Sequence, residues 1–137
     1  MMSQEIGAQL PPPLRFEFGA HPQGGEPSAV LLVTADADGR ARVAVLGAPE
    51  MKAHDASHIH FVVARGSSSY ENLMRSGKAA LWCVLDAAAY CIRGDVARLP
   101  ASDDDVDVTT IELTVTSVLR DFRSDAPMVR GPTYRRL

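Results

Sequence analysis

The sequence predicts a mainly β protein folded as a small antiparallel barrel or sandwich. Six short segments rich in β-branched and apolar residues alternate with turn residues, and most of the links between them are brief. Brief links favour antiparallel pairing, because a parallel crossover needs about a dozen residues or more. The length of 137 residues predicts a single domain, 1–137, that can bury a core without disulfides.

The N-terminal third predicts an arm followed by a hairpin. Residues 1–27 are rich in proline and glycine, which indicates an arm with one short helix around Ser3–Leu10. The apolar run at Ser28–Thr34 is typical of a central strand. Asp38-Gly39 is a strong hairpin signal, since glycine tolerates the positive φ of a type I′ turn, and Ala41–Leu46 is the predicted return strand.

The rest of the chain predicts one helix among further strands. The helix is Ser67–Ser76, with a serine to cap its start and Gly77 to end it. Gly94 indicates a bulge or bend within its strand. An acidic run at 103–107 is read as a solvated loop, and the last residues are read as a loop-like tail. Four strands are predicted here: His58–Ala64, Lys78–Leu85, Tyr90–Leu99 and Val108–Phe122.

Composition and charge argue against several functions. The formal net charge is −3, from 14 basic and 17 acidic residues, so there is no basic stripe for nucleic acid. No stretch approaches the roughly 20 apolar residues of a membrane span, and the N-terminus lacks the features of a secretory signal, which predicts a cytoplasmic protein. Cys83 and Cys91 flank a turn near Ala87 and could lie opposite one another; buried neighbouring thiols are favoured over a redox pair.

The strand–helix–strand unit from His58 to Leu99 carries a family resemblance. It is similar to the core of the pyridoxamine 5′-phosphate oxidase-like, FMN-binding split-barrel proteins, which place a Ser-Arg-Lys loop before a helix. The matching stretches are Ser67-Ser68-Ser69, Asn72-Leu73 and Gly77-Lys78-Ala79-Ala80-Leu81. The upstream hairpin matches the opening strands of the family, so the likeness covers about residues 27–99.

The resemblance implies both a fold and a function. The implied fold is a six-stranded antiparallel split β-barrel of Greek-key type with one or two short helices. The implied function is that of a homodimer with FMN in a groove between the subunits, a flavin-dependent oxidoreductase of unknown substrate. Two alternatives remain open at this point: the same fold binding a deazaflavin or haem, and a β-barrel interaction module without a cofactor.

The start of the predicted helix is the candidate phosphate site. Free backbone N–H groups and the positive end of the helix dipole favour an anion beside Ser67, Ser68 and Ser69. The alternative is that one serine caps the helix and the others face water. The arginine and lysine of the family loop are absent, so Arg42 and Arg65 are the candidate cations, with solvated surface positions as their alternative.

Contacts with the flavin ring are implied by the resemblance alone. They involve backbone on the second and third strands, at Val45, Leu46, Gly47, Val62, Val63 and Ala64. Trp82 could stack on a ring, although core or dimer packing is the favoured interpretation. His58 and His60 share a strand face beside His54, but no fourth ligand is evident, so no metal site is predicted.

Overall fold

The computed structural model describes residues 2–18, 29–47, 50–100, 107–128 and 131. They form two helices, α1 (Pro12–Glu17) and α2 (Ser68–Ser76). The strands are β1 (Met2–Gly7), β2 (Ala29–Ala35), β3 (Ala41–Gly47), β4 (Met51–Ala53), β5 (His58–Ala64), β6 (Lys78–Leu85), β7 (Ala88–Arg98) and β8 (Val108–Phe122). The residues of the predicted acidic run before Asp107, and most of the predicted tail, lie outside this set. Neither helix is long and apolar enough to cross a membrane in the part of the chain that the structure describes.

The strands form one curled antiparallel sheet, which confirms the predicted class. Its order is β3-β2-β6-β7-β8-β5-β4, and β1 pairs with the far end of β8. The 15-residue β8 therefore joins three partners, because β7 lies along one edge while β5 and β1 share the other. The concave face carries the core, whose fully buried side chains include Leu32, Ile59, Phe61, Leu73, Leu81, Ile92, Ile111, Leu113 and Val118.

The predicted number of strands was wrong, since eight are described and six were expected. Both additional strands lie in segments without apolar alternation. β1 is exposed along its whole length and exists through its pairing with the end of β8. β4 is a three-residue strand that pairs with β5. The predicted helix around Ser3–Leu10 was also wrong: the helix begins at Pro12, a residue type that suits the first turn because it needs no N–H donor there.

The type I′ geometry predicted for the β2–β3 turn is found in the β6–β7 turn instead. The β2–β3 hairpin is confirmed and Gly39 has a φ of 85°, but Asp38 does not share a positive φ, so the turn is not type I′. The β6–β7 hairpin closes in two residues, Asp86 and Ala87, whose φ values of 49° and 67° match that turn type.

A bulge lies at Gly94 as predicted, but its extra residue is Thr116 of the facing strand β8 rather than a residue of the glycine's own strand. The register between β7 and β8 shifts between Arg93 and Gly94. A Cβ atom at Gly94 would meet the backbone carbonyl of Thr114, so no side chain fits there without movement of the backbone.

The two cysteines lie on opposite faces of the β6–β7 hairpin. Cys83 pairs with Tyr90, and Cys91 pairs with Trp82, so the thiols are not cross-strand neighbours as the sequence had suggested. Cys83 faces the core, and its burial raises the pKa of its thiol to about 12. Cys91 is half-buried on the convex face, where burial also raises its pKa. The one-residue offset therefore rules out an intramolecular redox pair in this register.

Candidate cofactor site

The three serines of the candidate phosphate site differ in contacts and exposure at the start of α2. Ser67 is the N-cap, and its Oγ accepts a hydrogen bond from the backbone N–H of Tyr70 at 3.1 Å. Ser68 is exposed, whereas Ser69 is buried at 9% exposure. Within the described residues, the backbone N–H groups of Ser68 and Ser69 have no acceptor. The capping alternative therefore holds for Ser67, and two free N–H groups remain beside it.

Asn72 docks α2 onto the end of the β2–β3 hairpin. Its amide nitrogen donates to Thr34 Oγ1 at 3.1 Å and to Asp36 Oδ1 at 2.8 Å, and its amide oxygen accepts from Arg75 at 2.8 Å. Asn72 is 3% exposed, so these bonds satisfy a buried polar group. Ser69 lies one helical turn before Asn72 on the same helix face, and it too is therefore held toward the hairpin.

Arg42 lies on the same side of the sheet as α2. It is the cross-strand partner of Thr34, and such partners share a face with Cβ atoms about 5 Å apart. Because the Thr34 side chain bonds Asn72 of α2, the Arg42 side chain also starts on the face that α2 covers. Arg42 is exposed and has neither an ion pair nor a hydrogen bond within the described residues. The structure thus brings Arg42, which has no ion-pair partner among the described residues, to the face of the sheet that α2 covers.

Arg65 is directed elsewhere. Its Nε donates to Thr109 Oγ1 on β8 at 3.2 Å, and its backbone N–H donates to the Asp107 carbonyl at 2.8 Å. These bonds attach the β5–α2 loop to β8. Of the two cations predicted for the site, Arg65 has this structural role and Arg42 has none.

The backbone segments implied to contact a flavin ring have unpaired edges. β3 pairs with β2 alone, so its other edge, which includes Val45 and Leu46, has no partner strand in the part of the chain that the structure describes. On β5, Val63 and Ala64 extend past the end of β4 and pair only with β8. The side chains differ in burial: Leu46 and Val63 are in the core, whereas Val45 and Ala64 are exposed.

Trp82 lies on the opposite, convex face of the sheet. It stands between Leu31 and Cys91 in a cross-strand row that continues to Val45 at one end and Leu119 at the other. Together with Val43, which is 57% exposed, these residues form what we call the outer apolar band. The structure therefore separates Trp82 from Arg42 and the α2 start, and joins it to an exposed apolar surface.

Two of the described histidines, His58 and His60, lie beside carboxylates. His60 Nε2 lies 2.8 Å from Glu112 Oε2, and the His54 ring stacks on His60 at 5.0 Å between centroids. His58 bonds Asp55 at 2.8 Å, and the pKa of Asp55 is lowered by the N–H of Ser57 and then by His58. Among the residues described, no three ligand groups converge on a common point.

Comparisons with known proteins identify the fold. No family model and no curated protein matches the chain. A solved structure from Lactobacillus delbrueckii, described as a candidate pyridoxamine 5′-phosphate oxidase, is similar over 84% of this chain and 98% of its own, with 21% identity and a TM-score of 0.66.

Two further solved structures share the architecture. An F420 reductase matches 72% of this chain and 98% of its own at 17% identity and a TM-score of 0.55. HutZ, the haem storage protein of Vibrio cholerae, matches 66% of this chain and 83% of its own at 11% identity and a TM-score of 0.54. The chain therefore has the split-barrel fold of the pyridoxamine 5′-phosphate oxidase-like proteins, as the sequence motifs predicted.

Proposed function

We propose that this protein binds FMN as a homodimer and acts as a flavin-dependent oxidoreductase. The fold is compatible with more than one redox cofactor, since the similar structures include an F420 reductase and a haem storage protein. The chain's own residues must therefore decide the cofactor. The observation that carries the choice of FMN is Arg42, which lies on the face that α2 covers and has no ion-pair partner among the described residues.

The phosphate of FMN fits the start of α2. The N–H groups of Ser68 and Ser69 and the hydroxyl of Ser68 are donors for phosphate oxygens, and the helix dipole favours negative charge there. Arg42 adds a guanidinium, which can bind two phosphate oxygens through parallel N–H bonds. One cation in place of the family's arginine and lysine predicts weaker binding than in proteins that have both.

The flavin ring fits the unpaired edges of β3 and β5. The polar edge of an isoalloxazine presents alternating acceptors and a donor, which complement the N–H and C=O groups of an unpaired strand. Such contacts depend on backbone position rather than side-chain identity. The bound flavin would supply the redox chemistry, while these segments would hold and orient it.

The outer apolar band supports the homodimer. Val43 and Val45 are 57% and 62% exposed, and they adjoin Leu31 and the half-buried Trp82 across neighbouring strands. A contiguous apolar patch on a sheet face indicates an interaction surface. A second copy of this chain would cover the band and bring a partner surface to the edge of β3, where the ring is proposed to lie.

The test is a titration of the full-length chain with FMN, followed by quenching of flavin fluorescence. Replacing Arg42 with glutamine should weaken FMN binding by about 10-fold, because it removes a charged hydrogen bond to phosphate. The same variant should leave riboflavin binding unchanged, since riboflavin has no phosphate. Arg40→Gln is the matched control, because Arg40 is an exposed hairpin arginine that already pairs with Asp38.

Three outcomes would contradict the proposal. The protein could fail to bind FMN at micromolar concentration, or bind haem or a deazaflavin in its place. Arg42→Gln and Arg40→Gln could also weaken FMN equally, which would remove Arg42 from the phosphate site.

A further inference from the structure

A groove lies mainly on the convex face of the sheet, although Thr34, which faces α2, also lines it. It has a volume of about 710 Å³, within the range of small-molecule sites. It crosses β2, β6, β7 and β8 at the end of the sheet nearest the β2–β3 turn. None of the residues proposed to bind the flavin lines it.

Small residues make the floor of this groove. Ala80 and Val33 are cross-strand partners on the convex face, and Gly94 lies opposite the β8 bulge, where a side chain is excluded. Ala35 and Ala41 close the end beside the turn. Because these side chains are short and apolar, the floor can accept a flat apolar group rather than a polar chain.

Arg93 supplies one uncompensated positive charge to the groove. It occupies the row Ala80–Arg93–Ser117 across β6, β7 and β8. Its Nε donates to Ser117 Oγ at 2.8 Å, which orients the guanidinium and leaves the two terminal nitrogens. Within the described residues no carboxylate pairs with it.

The neighbouring charges already neutralise each other. Lys78 and Asp95, which also line the groove, form an ion pair at 2.9 Å. The groove therefore has a net charge of about one positive unit, and the Asp95 carboxylate disfavours a second negative charge on a ligand. A monoanion matches this arrangement better than a phosphate dianion does.

We propose that this groove binds an organic carboxylate with a flat, apolar body. The carboxylate would form parallel hydrogen bonds with the terminal nitrogens of Arg93, a geometry that suits guanidinium. The apolar body would lie on Ala80 and Val33. The proposal does not depend on the flavin, because none of the residues proposed to bind it lines the groove, although Thr34 and Ala41, the cross-strand partner and the chain neighbour of Arg42, do.

The test is calorimetric titration of the full-length chain with 2-naphthoate as the probe. Arg93→Gln should weaken binding by about 10-fold, and 2-naphthalenemethanol, which lacks the charge, should bind comparably weakly to the unaltered protein. Ala80→Leu should weaken naphthoate binding without touching the cation, because it fills the floor. Arg98→Gln is the matched control: Arg98 is an exposed arginine of the same strand, outside the groove, whose Nη1 contacts Tyr70 Oη at 3.3 Å.

The results also separate this proposal from the flavin proposal. Arg93→Gln should leave FMN affinity unchanged, and Arg42→Gln should leave naphthoate affinity unchanged. Equal affinity of the unaltered protein and Arg93→Gln for naphthoate would overturn the groove proposal. So would absence of binding at millimolar concentration, or inorganic phosphate binding as tightly as naphthoate.

Discussion

Ser67 and Ser68 at the start of α2 should respond differently to alanine, because the structure gives them different contacts. Ser67→Ala removes the oxygen that accepts from the Tyr70 N–H, and loss of an N-cap side chain costs about 1 kcal/mol. For a domain of this size that free energy corresponds to a fall in melting temperature of about 3 °C. Ser68→Ala removes an exposed hydroxyl that has no partner within the described residues, so the melting temperature should not change.

For FMN affinity the two substitutions should rank the other way, with Ser68→Ala weakening binding more than Ser67→Ala. Ser68→Ala should weaken FMN by about 5-fold, the loss of one hydrogen bond to a charged group at an exposed site. Ser67→Thr is the control for the cap, since threonine keeps the accepting oxygen and should retain most of the stability.

The assays are thermal unfolding by circular dichroism without ligand, and the FMN titration on the same samples. A Ser67→Ala variant with the same melting temperature as the unaltered protein would refute the capping role. A Ser68→Ala variant with unchanged FMN affinity would show that the phosphate does not bind at this loop.

Three further predictions concern the sheet. Val43→Glu puts a charge on the outer apolar band at an exposed position, so it should lower the molar mass measured by light scattering from dimer to monomer without lowering the melting temperature; a dimer that persists would place the interface elsewhere. The Cys83 thiol has a pKa raised by burial from 9.0 to about 12, so the unfolded chain loses this proton first as pH rises. Between pH 9 and pH 12 the free energy of unfolding, measured in urea, should therefore fall with pH more steeply than that of Cys83→Ala, by about 1.4 kcal/mol per pH unit. Parallel pH profiles for the two proteins would contradict this. Gly94→Ala should cost about 2–4 kcal/mol in the same unfolding assay, since its Cβ meets a β8 carbonyl; a cost below 1 kcal/mol would show that the bulge adjusts freely.

The sequence predicted most accurately the strands and the helix whose own residues carry apolar alternation or capping signals. β5, β6 and β8 were predicted to the residue, and α2 to within its N-cap, because apolar alternation and capping chemistry act over a few neighbouring residues. The bulge at Gly94 was predictable for the same reason. β1 was not, because its exposed residues have no apolar alternation and it forms only beside the extended end of β8.

Part of the candidate site could likewise be predicted from the sequence, and part could not. The sequence indicated that a serine-rich helix start follows a strand, and the family resemblance made Arg42 and Arg65 the candidate cations for it. The tertiary structure decided which of them is available: the register of β2 with β3 sets Arg42 opposite Thr34, whereas β8 engages Arg65.

What each face of the sheet contacts was likewise decided by the tertiary structure. Trp82, Cys91 and Arg93 are close in sequence to residues of the core, yet strand register turns all three outward. Periodicity along a strand establishes which residues share a face, but only pairing with other strands establishes what that face meets. For this protein the sequence therefore determined six of the eight described strands and the fold class, and non-local pairing decided the two surfaces on which its proposed functions depend.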